Sequence, residues 1–236
     1  MDASVEFARK HLEHIGLTGI EYEPDGNMPP DFVVNKKIAV EVRRLNQNET
    51  VNSGFRGLEE TDIPLRERVR TLLASFGPSR SGVSWFVSYT FRRPLPPWKP
   101  LKNALASHLK AFVSDERDRV SGKSVRIDDA VDIEFIRASD PHPTFFVLGG
   151  SSDGDSGGWV LEETRKNLRL CIDEKTRKIA QFRNRYPEWW LILVDRIGYG
   201  VDECDRTLYR ELLGVKDGWD KVILLNPTDH RSAFEL

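Results

Sequence analysis

The sequence predicts an α/β protein, arranged as a three-layer α/β/α sandwich with a central mixed β-sheet. One observation supports this fold class, and a second supports a single domain. Runs of β-branched and aromatic residues alternate with helix-like stretches through the second half of the chain, and this alternation is typical of sheets covered by helices. The 236 residues also contain no linker clean enough to divide the chain. We therefore expect a single domain over residues 1–236, long enough to bury a sizeable core.

Each expected element follows from a local pattern. Ser4 can cap a first helix that runs to about Ile15 and is ended by Gly16, and a short strand is expected at 20–24. Further helices are expected at 65–76, 101–113, 161–186 and 205–213, and further strands at 83–91, 125–136, 144–148, 189–194 and 219–225. The strands at 125–136 and 144–148 are expected to pair through a turn at 140–143. The polar stretches 46–54 and 149–158 are expected to be exposed loops.

The stretch from Pro29 to Arg43 has the pattern of a β-hairpin, in which two alternating runs flank a short polar turn. With a three-residue loop at 35–37, Val34 faces Ile38 and Asp31 lies across from Glu41. One face then carries Phe32, Val34, Ile38, Val40 and Val42, and the other carries Asp31, Val33, Ala39, Glu41 and Arg43. A two-residue loop instead separates the two carboxylates onto opposite faces.

Two carboxylates that are neighbours on one sheet face repel each other, so the pair requires a positive partner. A divalent cation such as Mg²⁺ suits this role, because hard cations prefer carboxylate oxygens. The alternative partner is Arg43, two residues from Glu41 on the same face, in an ordinary surface salt bridge. The hairpin pattern alone leaves both interpretations open.

An Asp after proline on one strand, followed by Glu-x-basic on the next, resembles the PD-(D/E)XK nuclease superfamily, whose fold is called restriction-endonuclease-like. The resemblance covers residues 6–43 directly and implies that Asp31 and Glu41 bind Mg²⁺ or Mn²⁺. It also implies a third metal-binding acid on the first helix. Glu6 is the first choice over Glu13, and a solvated glutamate is the alternative for either. Where the family usually has a catalytic lysine, this sequence has Arg43, and arginine cannot act as a base.

A lysine from the longest helical pattern can take the place of the missing one. The apolar stripe of this helix consists of Leu161, Leu168, Ile172, Ile179 and Phe182. Lys175 falls at the centre of the stripe, where packing alone calls for an apolar residue. We therefore expect Lys175 to act beside Asp31, Glu41 and Arg43 in catalysis. The alternative is a lysine whose stem packs against the core while its amine reaches water.

The net charge of −2 gives no overall basic surface, so nucleic acid requires a local patch. We expect Arg165, Arg169 and Lys178 of the same helix to contact phosphates. The alternative is a solvated basic helix whose charge is offset by its own acids: Glu162, Glu163, Asp173 and Glu174.

Two further patterns bear on location. No apolar run has the length of a membrane helix and no signal peptide is recognisable, so we expect no membrane partner. Cys171 and Cys204 lie far apart, without the spacing of metal ligands. This usage indicates reduced thiols and a cytoplasmic protein. No pattern indicates an oligomeric state.

Two classes of function follow. The resemblance implies a metal-dependent nuclease that hydrolyses phosphodiester bonds, with Mg²⁺ or Mn²⁺ as cofactor and DNA favoured over RNA as its partner. The absence of lysine at position 43 also allows a catalytically inactive, nuclease-like domain that serves as a nucleic-acid-binding or protein-interaction module.

Overall fold

The computed structural model describes residues 2–26, 28–51, 54–79, 82–115, 119–201, 203, 205–213 and 217–236. They form a mixed α/β structure with two compact units, which we call unit 1 (Met1–Phe55 and Gly158–Leu236) and unit 2 (Arg56–Gly157). We expected one domain because no stretch has the composition of a linker. The unit boundaries fall at or directly beside the polar stretches 46–54 and 149–158, which the sequence indicated only as loops.

The elements are as follows. The helices are α1 (Ala3–His14), α2 (Glu59–Ala74), α3 (Trp98–Ser114), α4 (Val160–Ile179) and α5 (Arg206–Leu213), and a 3-10 segment, Ala180–Arg185, follows α4. The strands are β1 (Ile20–Tyr22), β2 (Phe32–Val34), β3 (Ile38–Leu45), β4 (Asn48–Val51), β5 (Gly54–Gly57), β6 (Trp85–Phe91), β7 (Lys123–Arg126), β8 (Val131–Arg137), β9 (Phe146–Asp153), β10 (Glu188–Asp195), β11 (Lys221–Leu225) and β12 (Ala233–Glu235).

Unit 1 is built on a six-stranded mixed sheet with the order β1-β2-β3-β10-β11-β12. The three central strands β3, β10 and β11 are parallel, and the outer strands pair in antiparallel fashion. Strand β10 is buried along almost its whole length, as expected for a parallel strand that is covered on both faces. The expectation of a mixed central sheet is therefore confirmed for unit 1.

Alternation along the strands separates two hydrophobic clusters on the two faces of this sheet. One cluster joins α1, through Ala8 and Leu12, to Val40 and Val42 of β3. The other joins α4 to the opposite face, and its core residues are Ala39, Leu45, Leu161, Leu168, Cys171, Ile172, Ile179, Trp189, Leu191 and Leu193, among others. A helix thus covers each face of the central strands.

The hairpin between β2 and β3 has the expected register. Val34 pairs with Ile38, Val33 with Ala39 and Phe32 with Val40. Asn35 and Lys36 in the turn both have positive φ, of 51° and 58°, the backbone conformation of tight hairpin turns. The pairing of Val34 with Ile38 confirms the three-residue loop, and the predicted apolar face is buried except for the half-buried Ile38.

Unit 2 contains the second main sheet, with the order β7-β8-β6-β9. Side chains from one face of β6 (Trp85, Val87, Tyr89 and Phe91) form its core together with residues of α2 and α3. The rings of Phe112 and Phe135 stack in this core with their centroids 3.9 Å apart. The expected direct pairing of the strands at 125–136 and 144–148 is wrong, because β6 lies between β8 and β9.

Several expected boundaries also change. Asp2, rather than Ser4, caps α1, since its Oδ1 accepts hydrogen bonds from the backbone N–H groups of Ser4 and Val5 at 2.6 and 3.1 Å. Helix α2 begins at Glu59, before Pro64. Both stretches expected to be loops contain strand residues, in β4, β5 and β9. Asn52 and Ser53, within the first of them, lie outside the described residues.

Two expectations about the chain as a whole can be compared with the structure. Among the described residues, none of the helices has both the length and the apolar character needed to cross a bilayer. Cys171 is a free, buried cysteine, whereas Cys204 lies outside the described part of the chain.

The packing of α1 makes a pH-dependent contribution to stability. The buried His11 ring donates from Nδ1 to the carbonyl of His230 at 2.8 Å. Burial is the main cause that lowers the pKa of His11 below its ordinary value of 6.5. The unfolded chain therefore binds this proton more readily, and the contribution of His11 to stability is lost as the pH falls through 6.5 toward the folded value.

We expect His11→Asn, which keeps a hydrogen-bond donor but does not titrate, to reduce this pH dependence. Below pH 7, the slope of the free energy of unfolding against pH should differ between His11→Asn and the wild type by at most about 1.4 kcal/mol per pH unit. Urea unfolding followed by circular dichroism at a series of pH values measures it. The exposed His108 on α3 provides the control variant His108→Gln. Equal slopes in wild type and His11→Asn contradict the prediction.

Candidate active site

The hairpin brings Asp31 and Glu41 together on the face of the sheet that α4 covers. Glu41 lies in the middle of β3, opposite Leu191 of the neighbouring strand β10, and is fully buried. The β2–β3 ladder ends at Phe32, so Asp31 precedes it and can turn its side chain toward β3. Its Oδ2 accepts a hydrogen bond from the backbone N–H of Val42 at 2.7 Å, which fixes the carboxylate beside the strand that carries Glu41.

Lys175 of α4 reaches both carboxylates. Its Nζ lies 2.5 Å from Oε2 of Glu41 and 3.7 Å from Oδ2 of Asp31. Lys175 is only 7% exposed, among apolar neighbours such as Cys171 and Ile172 on the same helix face. This ion pairing explains why a lysine stands in the apolar stripe of α4, because a buried lysine is tolerated when its charge is paired.

Lys178, one helical turn further along α4, is a second cation at the same carboxylate. Its Nζ lies 3.3 Å from Oε2 of Glu41, and its side chain is 44% exposed. From the sequence we placed Lys178 on a nucleic-acid surface and did not connect it with Glu41. The signal was its spacing of three residues from Lys175, which puts the two lysines next to each other on a helix.

The second oxygen of Glu41 distinguishes this carboxylate from an ordinary ion-paired one. Oε1 is buried and has no hydrogen-bond partner among the residues that the structure describes. A buried carboxylate oxygen without a partner is costly, and such an oxygen is a ligand that Mg²⁺ and Mn²⁺ prefer. Together with Asp31 it fits a divalent metal. No group of three or more acidic, histidine or cysteine side chains suited to a metal occurs among the described residues, so two carboxylates are the acidic donors available here.

Glu6 does not join the pair. It lies on α1, which packs against the opposite face of the sheet, and it forms an ion pair with Lys10 at 2.8 Å. The hydrogen bond from Lys10 lowers the pKa of Glu6. The expectation that Glu6 shares a site with Asp31 and Glu41 is therefore corrected, since its helix contributes its inward face to packing and leaves Glu6 at the surface.

Arg43 lies on the same face as Glu41 but has a different partner. Its Nη1 forms an ion pair with Oε2 of Glu174 on α4. The alternative in which Arg43 neutralises the Asp31–Glu41 pair is therefore not the arrangement observed, because Lys175 and Lys178 occupy that role. Arg43 stays close to the site without a contact to either carboxylate among the ion pairs of the described residues.

Tyr22 is a neighbour of Asp31 that sequence reasoning did not single out. Its hydroxyl donates to Oε1 of Glu23 at 2.7 Å. This hydrogen bond is the main cause that raises the pKa of Tyr22 to about 12, and the charges of Asp31 and Asp2 act in the same direction. The hydroxyl therefore stays protonated over the ordinary pH range, and its proton is shared with Glu23, while the ring packs with the cluster on the face of the sheet that α1 covers.

The three residues expected to contact phosphate do not form one surface. Arg165 forms a two-point ion pair with Glu162, and Arg169 pairs with Asp173 and Asp217 at 3.3 and 2.9 Å. Nine residues at about 100° each place Arg169 and Lys178 on opposite sides of α4. The expected patch is thus corrected: Lys178 belongs to the carboxylate site, whereas Arg165 and Arg169 are neutralised on the other flank of the helix.

Comparisons with known proteins identify no relative, since no family model, no curated protein and no solved structure matches the chain. The site is therefore interpreted from its own geometry: two carboxylates, one of them with a free buried oxygen, and two ammonium groups on one sheet face.

The ion pair between Lys175 and Glu41 makes a prediction about stability. Removing one partner of a buried pair typically costs about 3–5 kcal/mol, whereas replacing both by apolar residues is often neutral. Without Lys175, the fully buried Glu41 keeps only the half-exposed Lys178 as its cation, so the cost should lie at the lower end of this range. We expect Lys175→Met to lower the local stability of β3 and β10 by about 3 kcal/mol, and the double variant Glu41→Met/Lys175→Met to recover most of it. Amide hydrogen exchange in these strands measures the change.

The control is Lys221→Met, which removes an ion pair between more exposed partners, Lys221 and Glu235, at 3.1 Å. Such exposed pairs contribute about 0–1 kcal/mol. If Lys175→Met costs no more than Lys221→Met, the buried pair does not stabilise the sheet as argued.

Proposed function

We propose that this chain is a metal-dependent nuclease that hydrolyses phosphodiester bonds, with DNA rather than RNA as its first substrate and the cytoplasm as its place of action. The observation that carries the proposal is the position of Lys175 Nζ, 2.5 Å from Glu41 and 3.7 Å from Asp31. Two acids, one just before β2 and one on β3, together with one lysine are the side chains that the resemblance to the PD-(D/E)XK superfamily calls for. We further propose that unit 1 is a restriction-endonuclease-like three-layer sandwich of the PD-(D/E)XK type.

The proposed cofactor is Mg²⁺ or Mn²⁺, held by Asp31 and by the free Oε1 of Glu41. When bound, a divalent metal lowers the pKa of its water and neutralises charge on a phosphate. The chain supplies the rest. The Val42 N–H orients Asp31, and burial of Glu41 keeps its carboxylate in one place.

Lys175 has the role that the family assigns to a strand lysine. Its ammonium group, held between the two acids, can donate hydrogen bonds to an attacking water and to the oxygens of a phosphate, where negative charge develops in the transition state. Arg43 supports this arrangement indirectly, because its pairing with Glu174 joins β3 to the helix that carries Lys175. An arginine cannot exchange a proton in this role, which is why we assign the lysine function to position 175.

The alternative function is an inactive nuclease-like module that binds nucleic acid or protein. One observation favours it: both lysines contact Oε2 of Glu41, so the carboxylate is already neutralised without a metal. A purely structural buried ion pair has this same geometry. Activity and metal binding therefore decide between the two proposals.

We expect the purified protein to degrade plasmid or linear DNA with Mg²⁺ or Mn²⁺ and to lose this activity in EDTA. Lys175→Met and Glu41→Gln should each reduce the rate by at least about 100-fold, because each removes a group that stabilises the transition state. Arg43→Met should retain part of the activity. Lys10→Met, which also removes an ion-paired lysine, is the matched control and should cleave like the wild type.

Wild-type cleavage by Lys175→Met excludes this residue from the mechanism. The absence of cleavage of DNA and RNA by the wild type under all of these conditions, combined with measurable binding of either, favours the inactive module instead.

A further inference from the structure

Four charged side chains meet at the candidate site, and their charges cancel. Asp31 and Glu41 contribute two carboxylates, and Lys175 and Lys178 contribute two ammonium groups. The neighbouring pair of Arg43 and Glu174 is balanced as well. A divalent metal added to this arrangement leaves a net charge of about +2 in a partly buried place, which Coulomb repulsion disfavours.

The two lysines differ in how easily they can leave. Lys175 is 7% exposed, lies near both carboxylates, and has apolar neighbours on its own helix face. The Nζ of Lys178 lies 3.3 Å from Oε2 of Glu41, the one ion-pair partner it has among the described residues, and 44% of its side chain is exposed. An exposed ammonium group regains its hydration when it turns outward, whereas a buried one loses its only compensation. Lys178 is therefore the cation that can be exchanged.

We propose that Lys178 is a built-in counter-ion that competes with the divalent metal for Glu41. In the metal-free protein its ammonium group neutralises the carboxylate. When the metal binds, Lys178 turns to solvent, where it is free to contact a phosphate of the nucleic acid. The exchange itself rests on the proposed function only in taking a divalent metal as the ion at Asp31 and Glu41, whereas the phosphate contact also takes nucleic acid as the substrate.

This exchange couples the two ligands of the site. A phosphodiester brings one negative charge, which offsets the charge that the metal adds, and the released Lys178 supplies an additional contact for it. Metal and nucleic acid therefore strengthen each other's binding, and the coupling is reciprocal. Lys178 thus has two alternative anionic partners, the Glu41 carboxylate without metal and a substrate phosphate with it.

Calorimetric titration with Mn²⁺, at low salt and without nucleic acid, tests the exchange. A divalent and a univalent cation about 6 Å apart repel enough, even at the dielectric constant of water, to weaken binding about tenfold. We expect Lys178→Gln to bind Mn²⁺ about tenfold more tightly than the wild type. Lys178→Arg keeps the charge and should bind Mn²⁺ like the wild type. Lys166→Gln, which removes an exposed lysine elsewhere on α4, should also leave the affinity unchanged.

An Mn²⁺ affinity of Lys178→Gln equal to that of Lys166→Gln overturns the inference, and so does the absence of Mn²⁺ binding in every variant. If Lys178→Gln binds Mn²⁺ measurably and the wild type binds Mn²⁺ too weakly to measure, the result supports the inference. Circular dichroism of each variant verifies folding. The DNA-cleavage assay on the same preparations is a separate readout, so a protein that exchanges Lys178 for Mn²⁺ but cuts no substrate refutes the nuclease proposal and leaves this inference standing.

Discussion

The packing of unit 1 depends on how it neutralises one buried charge. Glu41 is fully buried in the layer between the sheet and α4, beside Ala39 and Leu191, which are also inaccessible. A carboxylate in such a layer costs several kcal/mol unless a cation accompanies it. Within the described part of the chain, α4 is the element that supplies that cation, through Lys175 and Lys178. The position of this helix on the sheet is therefore set by charge as well as by apolar contact.

A row of polar contacts along β3 and the strand that follows extends this constraint. Beyond Glu41 and its lysines, Arg43 pairs with Glu174. Further on, the backbone N–H and side-chain amide of Asn48 both donate to Oδ1 of Asn167 at 2.9 Å. Apolar side chains alone tolerate a shift of a helix along a sheet, whereas a shift here separates each of these pairs. The row thus gives α4 a single position, which is the condition for holding a side chain at a reactive site.

The sequence predicted the parts of this site that follow from local periodicity. The alternation of residues 29–43 determined which side chains of the hairpin share a face, and the 3.6-residue period placed Lys175 in a buried stripe. The rest depends on which elements are neighbours in space. In the sequence, Lys178 has the same pattern as any lysine that is exposed on a helix. Its contact with Glu41 depends on the position of β3 beneath α4, which local periodicity does not predict. Glu6 was assigned by analogy, and the structure places α1 on the other face. The division into two units was missed because strands of both sheets have the same patterns.

The order in which the site is synthesised follows from the insertion of unit 2 within unit 1. Glu41 and Lys175 are neighbours in space but 134 residues apart along the chain. At typical rates of translation, the hairpin leaves the ribosome on the order of ten seconds before its counter-ion does. During that interval the carboxylates have no α4 to pair with and β3 has no parallel partner, so burial of Glu41 is unfavourable. The inserted unit can fold first, because its own core needs no later residue, and the nascent hairpin stays hydrated until α4 and β10 arrive.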